Sequence, residues 1–376
     1  MLSLKYLRHL NYWSIFVTIS LMLVSLVVVS AMDPASLGSN DFFTTKTCIQ
    51  MRHFAIGWLV FFGCSCFDYS KLKTWALPVY LITLLSLAGL FLAPAVQNVH
   101  RWYRIPFIHL SFQPSEYAKL AVVIMLGYVL ELSKCAISSK RTALMACLIV
   151  FLPFFLILRE PDLGTALVLC PVAWGIFYLA NVYPPLVRVS GFIGGVLFLF
   201  TLLVFTGVIP HEKVKPHALK VLKEYQYERL NPVNHHQRAS LISIGLGGVL
   251  GRGWKSGEFA GRGWLPYGYT DSVFPALGEE FGLVGLIGLL GLYYSLIYFG
   301  CRTVAVASDN FGRLLSAGIT VYISMHILIN ISMMCGILPI TGVPLVLVSY
   351  GGSSVIATMA SLGLLQSIYA RRFRTY

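Results

Sequence analysis

The sequence predicts an all-α polytopic membrane protein with about ten transmembrane helices and one long extracytoplasmic loop. Three observations carry this. The chain is 57% hydrophobic and only 11% charged. Its mean hydropathy of +0.75 is more than a soluble domain of this length has use for. Its apolar residues fall in runs of spanning length, near 12–31, 51–67, 74–93, 114–133, 142–158, 163–182, 187–207, 272–301, 311–335 and 343–370.

The first run follows Lys5, Arg8 and His9. It is too long for a signal-peptide core and lacks a small-x-small cleavage site, so it reads as a retained span. The second run is the weakest, because Cys64, Ser65 and Cys66 interrupt it. The 272–301 run exceeds the roughly 20 residues that cross a bilayer, so it tilts or projects beyond it. The whole of 1–376 reads as one integral membrane domain, with 208–270 as the long loop between the seventh and eighth spans.

The net charge of +13 resembles a nucleic-acid signature until it is mapped. With the N-terminus inside, the inner segments carry Lys5, Arg8, Lys71, Lys73, Lys134, Lys140, Arg141, Arg188, Arg302, Arg313, Arg371, Arg372 and Arg374. The short outer segments carry only Lys46, Arg52, Arg101, Arg104 and Arg159. This is the positive-inside pattern, with both termini cytoplasmic and no nucleic-acid partner implied. The acids run the other way: only Asp68, Glu131 and Asp309 map inside. Glu116, Glu160, Asp162, Asp271, Glu279 and Glu280 fall near the outer leaflet from segments far apart in the chain, which implies a polar cavity opening outward.

The eight cysteines mostly lie in apolar runs and form no CxxC pair, so they indicate neither a metal site nor a disulfide framework. The loop opens with a stretch able to form an amphipathic surface helix from about Pro216 to Arg229. Five glycines in 245–253 mark close backbone packing or a tight loop. No G-x-x-x-x-G-K-[ST] phosphate loop is present. No internal repeat is visible, which weakens an inverted-repeat transporter.

Four stretches carry candidate chemistry. In Gln113–Lys119, Pro114 suits a first helical position, and Glu116 and Lys119 share a helix face at i,i+3. They are either a helix start with an internal ion pair or a phosphate-binding lysine held by its glutamate. In Arg159–Thr165, Asp162 either caps a helix or lines the cavity. In Tyr269–Ser272, Asp271 stands at the border between the polar loop and the apolar run. It either caps that run or acts as a base. Helical phase puts Glu279 about 80° and Glu280 about 180° from Asp271, so both face its cavity only if Pro275 or Gly278 kinks the helix. In Leu338–Ser354, two prolines and three glycines free backbone groups at membrane depth, which is tolerated only around a cavity or inside protein.

Together QPSEYAKL, EPDLGTAL, YQYERLNP, SLISIGLGGVLGRGW, the Thr270-Asp271 pair with GEEFGLVG, and LPITGVPLVLVSYGGSS resemble the SEDS family (shape, elongation, division and sporulation), its RodA-like branch best. The resemblance spans roughly 113–354. It implies a peptidoglycan glycosyltransferase in the bacterial cytoplasmic membrane. Such an enzyme polymerises lipid II on the outer leaflet beside a class B penicillin-binding protein. The family's proposed catalytic aspartate maps onto Asp271, and its other site residues map onto Glu116, Lys119 and Asp162. The family pattern L-P-E-x-H-T-D is altered here: Tyr267 and Tyr269 stand where it has a glutamate and a histidine.

In such a reaction Asp271 takes the proton of the attacking sugar hydroxyl. The departing diphosphate needs positive charge from Lys119, from loop residues such as Arg229, or from a divalent cation. A precursor flippase and a non-catalytic scaffold for a penicillin-binding protein are the rival readings. The outer bias of the acids argues against the first, and the two tyrosines keep the second open.

Overall fold

The computed structural model describes residues 4–33, 41–93, 101–105, 110–160, 162–218, 234–261 and 263–373. In chain order its helices are α1 (Tyr12–Ala31), α2 (Thr45–Cys66), α3 (Leu72–Gly89), α4 (Pro114–Leu132), α5 (Lys140–Arg159), α6 (Leu163–Ala180), α7 (Pro184–Phe205), α8 (His211–Ala218), α9 (His235–Gly247), α10 (Glu258–Gly261), α11 (Val273–Val306), α12 (Asn310–Met334) and α13 (Gly352–Ala370). Between α3 and α4 a small antiparallel hairpin pairs β1 (Tyr103–Ile105) with β2 (Leu110–Phe112), Tyr103 opposite Phe112. All ten expected long helices are present. Eight are long and apolar enough to cross a membrane, and the chain is a multi-pass membrane protein. The other two, α2 and α4, carry polar residues that turn inward: Gln50, His53, Glu116 and Lys119 are all buried.

Caps set several boundaries. The Thr44 side chain accepts from the Thr47 amide at 3.2 Å, so α2 begins six residues earlier than its apolar run. Asp309 caps α12 through the Gly312 amide at 3.1 Å. Such side-chain oxygens satisfy amides that the first helical turn leaves open. The tenth helix begins at Gly352, not near 343. Residues 343–351 are irregular, and their main chain is met largely by helix side chains: Asn330 donates to Val343 O (2.7 Å), Tyr293 to Val346 O (2.8 Å) and Gln50 to Ser349 O (3.3 Å), while Tyr350 N donates to Tyr269 O (2.9 Å).

The 208–270 segment contains α8, α9 and α10. Of the expected amphipathic helix, only 216–218 is described, at the end of α8. Helix α9 was not anticipated. It packs against α11, burying Gln237, Ala239, Ser240, Ser243 and Gly247.

The break in α11 falls at Gly282 (φ 65°, ψ −162°), not at Pro275 or Gly278. A break inside an apolar helix frees amides and carbonyls that cost several kcal/mol each if left unmet in a membrane. The glycine-rich segment after α9 meets them. Leu283 N donates to Gly248 O at 2.9 Å, and Val284 N to Val249 O at 3.2 Å. Arg252 N donates to Glu279 O at 3.0 Å, and Gly253 N to Glu280 O at 2.9 Å. The backbones approach so closely that a Cβ on Gly251 would lie 2.2 Å from Glu280 O. That accounts for the glycine cluster.

At the opposite end of the bundle, Lys73 bridges Glu131 (2.9 Å) and Asp309 (3.2 Å), tying α3, α4 and the start of α12. Helix α13 packs chiefly on α2, and Gln366 bonds both main-chain groups of Asn11 (2.9 and 3.0 Å), fastening the chain's two ends together.

Candidate functional site

A cavity of about 1140 Å³ lies where α4, α6, α9 and α13 begin. Each helix start carries partial positive charge from its open amides, and four converging starts favour an anionic ligand. The walls include Arg52 and His53 of α2, Arg101, Gln113, Glu116, Asp162, His235, His236, Tyr267, Asp271, Tyr350 and Ser353. Three carboxylates and two guanidiniums therefore share one space.

Asp162 settles the choice between capping and lining, because it does both. Its Oδ1 accepts from the Thr165 amide at 3.4 Å, which starts α6. Its Oδ2 accepts from Thr165 Oγ1 (2.9 Å), Gln113 Nε2 (3.1 Å) and Ser115 Oγ (3.3 Å). Gln113 is the clasp of this wall. Its Oε1 accepts from Trp102 of the hairpin at 3.2 Å, and its amide donates to Ser353 of α13 at 3.0 Å.

Glu116 lines the cavity, but Lys119 does not. Lys119 is fully buried behind Glu116, 2.7 Å from its Oε1 and 2.8 Å from His326 Nε2. Desolvating a lone ammonium would be costly, and these two partners offset it. The second carboxylate oxygen, Glu116 Oε2, is buried with no hydrogen-bond partner among the described residues.

Asp271 sits on a turn ahead of α11. Its side chain faces Gly342, where a Cβ would lie 3.4 Å from Oδ2. The turn is pinned on both sides. Asn330 Nδ2 donates to Asp271 O (3.0 Å) and Val343 O (2.7 Å). Tyr350 N donates to Tyr269 O at 2.9 Å, and Ser349 Oγ donates to Thr270 O. On the far side His236 Nε2 lies 2.6 Å from Ser272 Oγ, which donates to Pro266 O at 2.8 Å. Ser272 has one proton, so His236 is the donor in its bond. Burial, and then the neighbouring His235, push the His236 pKa down to about 4, which keeps the ring neutral.

Glu279 and Glu280 turn away from this cavity. Glu279 accepts from Ser243 Oγ and Phe259 N, both at 2.9 Å, and Glu280 accepts from Lys255 N at 3.1 Å. They hold the 254–259 segment. Glu160 is buried near Arg101, whose Nε donates to its main chain at 3.2 Å, and is not a wall residue. Arg229 lies outside the described residues. Among the described residues, no three His, Cys, Asp or Glu form a group fit to hold a metal ion.

The tyrosines at the two altered positions are both placed. Tyr267 adopts φ 52° with its ring 6.0 Å from His236. Tyr269 lies under Lys46 (3.5 Å to the ring centre) and edge-on to Tyr350. Sequence reasoning missed Arg52, Arg101, His53, His235 and His236 as wall residues. Arg52 and Arg101 had a usable signal, being bases on the side where bases are scarce.

The model of the FtsW/RodA/SpoVE cell cycle protein family matches residues 10–373. The chain belongs to this family. It is 32% identical over 356 residues to the peptidoglycan glycosyltransferase MrdB of Escherichia coli strain K12, covering 94% of this chain and 93% of that protein. It is 30% identical over 328 residues to MrdB of Helicobacter pylori, covering 86% and 83%. The fold matches the rod shape determining protein RodA of Thermus thermophilus, with a TM-score of 0.69 at 23% identity over 97% of this chain and 98% of the other. It also matches a chain solved in a peptidoglycan synthase complex that coordinates polymerization and crosslinking, with a TM-score of 0.75 at 24% identity over 97% and 99%.

Proposed function

We propose that this chain is a peptidoglycan glycosyltransferase that polymerises lipid II into glycan strands on the outer face of the bacterial cytoplasmic membrane, supporting elongation and cell shape. The observation that carries it is one cavity lined by Asp271, Arg52 and Arg101, in a chain similar over 94% of its length to a named peptidoglycan glycosyltransferase.

The hydroxyl oxygen of one lipid-linked sugar attacks the anomeric carbon of another. The anomeric C–O bond to the diphosphate breaks, and polyprenyl diphosphate leaves. Asp271 takes the hydroxyl proton as the new bond forms. Arg52, Arg101 and the converging helix starts offset the charge on the diphosphate. Arg229 of the long loop is a further source of positive charge. Glu116 and Asp162 hold sugar hydroxyls. Lys119, placed behind Glu116, serves the substrate through that glutamate.

The basic residues gathered at the Lys73 and Arg371 end support cytoplasmic termini, with the cavity and the 208–270 segment outside. A class B penicillin-binding protein is the proposed partner, supported by the fold's match to a chain from a synthase complex.

The test is polymerisation of labelled lipid II by the purified protein with a partner inactivated for its own chemistry. Glycan ladders from the wild type that vanish in Asp271→Asn support the assignment. No ladders from an intact complex would overturn it and leave a flippase or scaffold.

A further inference from the structure

Two polar side chains of α12 face the candidate site from behind. His326 and Asn330 are one helical turn apart, and only 2% and 0% exposed. Positions i and i+4 share a helix face. Asn330 holds the Asp271 turn, as described above. His326 holds Lys119, the ion-pair partner of Glu116.

The chemistry of His326 is fixed by its neighbours. Lys119 Nζ, 2.8 Å from His326 Nε2, has protons and no acceptor. Nε2 is therefore the acceptor. The ring also bonds the main chain of Pro344, which has no N–H, so the Pro344 carbonyl accepts from Nδ1–H. His326 is a neutral imidazole with its proton on Nδ1. It joins Lys119 of α4 to the irregular segment that packs against the Asp271 turn. Lys119 in turn grips Glu116 Oε1 at 2.7 Å and leaves Oε2 unpartnered among the described residues, on a carboxylate that lines the cavity.

We propose that His326 is a positioning residue for glycosyl transfer. It holds the Lys119 ammonium against Glu116 Oε1, which fixes the orientation of a carboxylate that lines the cavity Asp271 also lines. The inference rests on the glycosyltransferase reading. A core histidine that merely fills its place would also be hydrogen-bonded, so the test must separate the two roles.

The experiment is a double-mutant cycle on kcat/KM for lipid II polymerisation in the full-length complex. His326→Leu removes the acceptor, and an interaction with a charged group of this kind corresponds to a loss on the order of tenfold to a hundredfold. His326→Asn keeps a donor near Pro344 but withdraws from Lys119. It gives the same loss and serves where the leucine variant does not fold. His326→Gln reaches Lys119 and recovers activity to within about threefold. In a Glu116→Gln background, His326→Leu or His326→Asn costs nothing further, because residues acting through one another are not additive. Multiplicative losses in the double variants, or a fully active His326→Asn, would overturn the proposal while leaving wild-type polymerisation in place. A wild type that makes no glycan overturns the glycosyltransferase reading and this proposal with it.

Discussion

The side-chain amide of Asn330 donates both of its protons to main-chain carbonyls, one to Asp271 at 3.0 Å and one to Val343 at 2.7 Å. A single group on a rigid helix thus sets the gap between the turn that carries the proposed base and the segment facing it. Asn330→Leu leaves two buried carbonyls unmet, a cost of about 1–3 kcal/mol for each. Asn330→Asp is worse, since it points a carboxylate at two carbonyl oxygens. The expected outcome is a lower melting temperature and at least a tenfold fall in kcat for both, with aspartate below leucine. Thermal unfolding in detergent and polymerisation assays check it; an active Asn330→Asp would contradict it.

Asp271→Asn should keep the turn, because Asp271 is held by its main chain and not only by its side chain. The variant is expected to fold with a near-wild-type melting temperature and to lose a factor of at least about 10² in polymerisation, as removal of a general base does. Loss of folding together with activity would instead make Asp271 structural.

The fold was legible because apolar runs report long helices directly: all ten appear, eight of them long and apolar enough to cross a membrane. Asp271, Glu116 and Asp162 were legible as charges placed against the hydropathy. The boundaries at Thr45 and Gly352 were not, because caps and cross-segment bonds decided them. Helix α9 was hidden because its buried face is made of Gln, Ala, Ser and Gly, which carry no hydrophobic period. The α11 break was misplaced because proline draws attention, while Gly282 needs α9's glycine-rich sequel to make its break tolerable. Lys119 was assigned to substrate because an i,i+3 pair gives the shared face but not its depth. Only the partner across the bundle, His326, reveals that Lys119 is behind the wall.

The glycine junction gives a sharp stability prediction. Gly251 has φ 82° and Gly282 φ 65°, a region that costs an L-residue roughly 1–2 kcal/mol before any clash. Gly251→Ala would also place its Cβ 2.2 Å from Glu280 O. It should unfold or markedly destabilise the protein, whereas Gly245→Ala, with open space around it, should be neutral or mildly stabilising. Comparing the two melting curves in one detergent decides the matter. Equal curves would mean that the interlock between α9's sequel and α11 is unimportant.

Two groups outside the spans, half-buried His236 and buried Glu160, give opposite pH slopes. His236 is held near a pKa of 4, below its ordinary 6.5. The folded state binds its proton less readily than the unfolded chain, so stability is lost as pH falls from about 6.5 toward 4. Glu160 is raised to about 8 by burial and then by Asp162, with Arg101 opposing. Its folded form resists ionisation, so stability is lost as pH rises from about 4.5 to 8. His236→Gln should flatten the acid limb of a melting-temperature profile, and Glu160→Gln the alkaline limb. An unchanged limb in either variant would assign that slope to another group.

Arg52 and Arg101 distinguish the diphosphate reading from a purely structural one. Both line the cavity and face the ligand space from separate elements. A guanidinium that meets the leaving diphosphate acts more strongly as negative charge grows on it, so its loss falls on kcat more than on KM. Arg52→Ala and Arg101→Ala are each expected to lower kcat about 10- to 100-fold. Lysine at either position should recover only part, because it offers a point charge in place of a planar fork. Steady-state polymerisation at several lipid II concentrations separates the terms. A rise in KM with kcat unchanged would mean uniform binding of substrate and transition state, and would move leaving-group stabilisation to another cation.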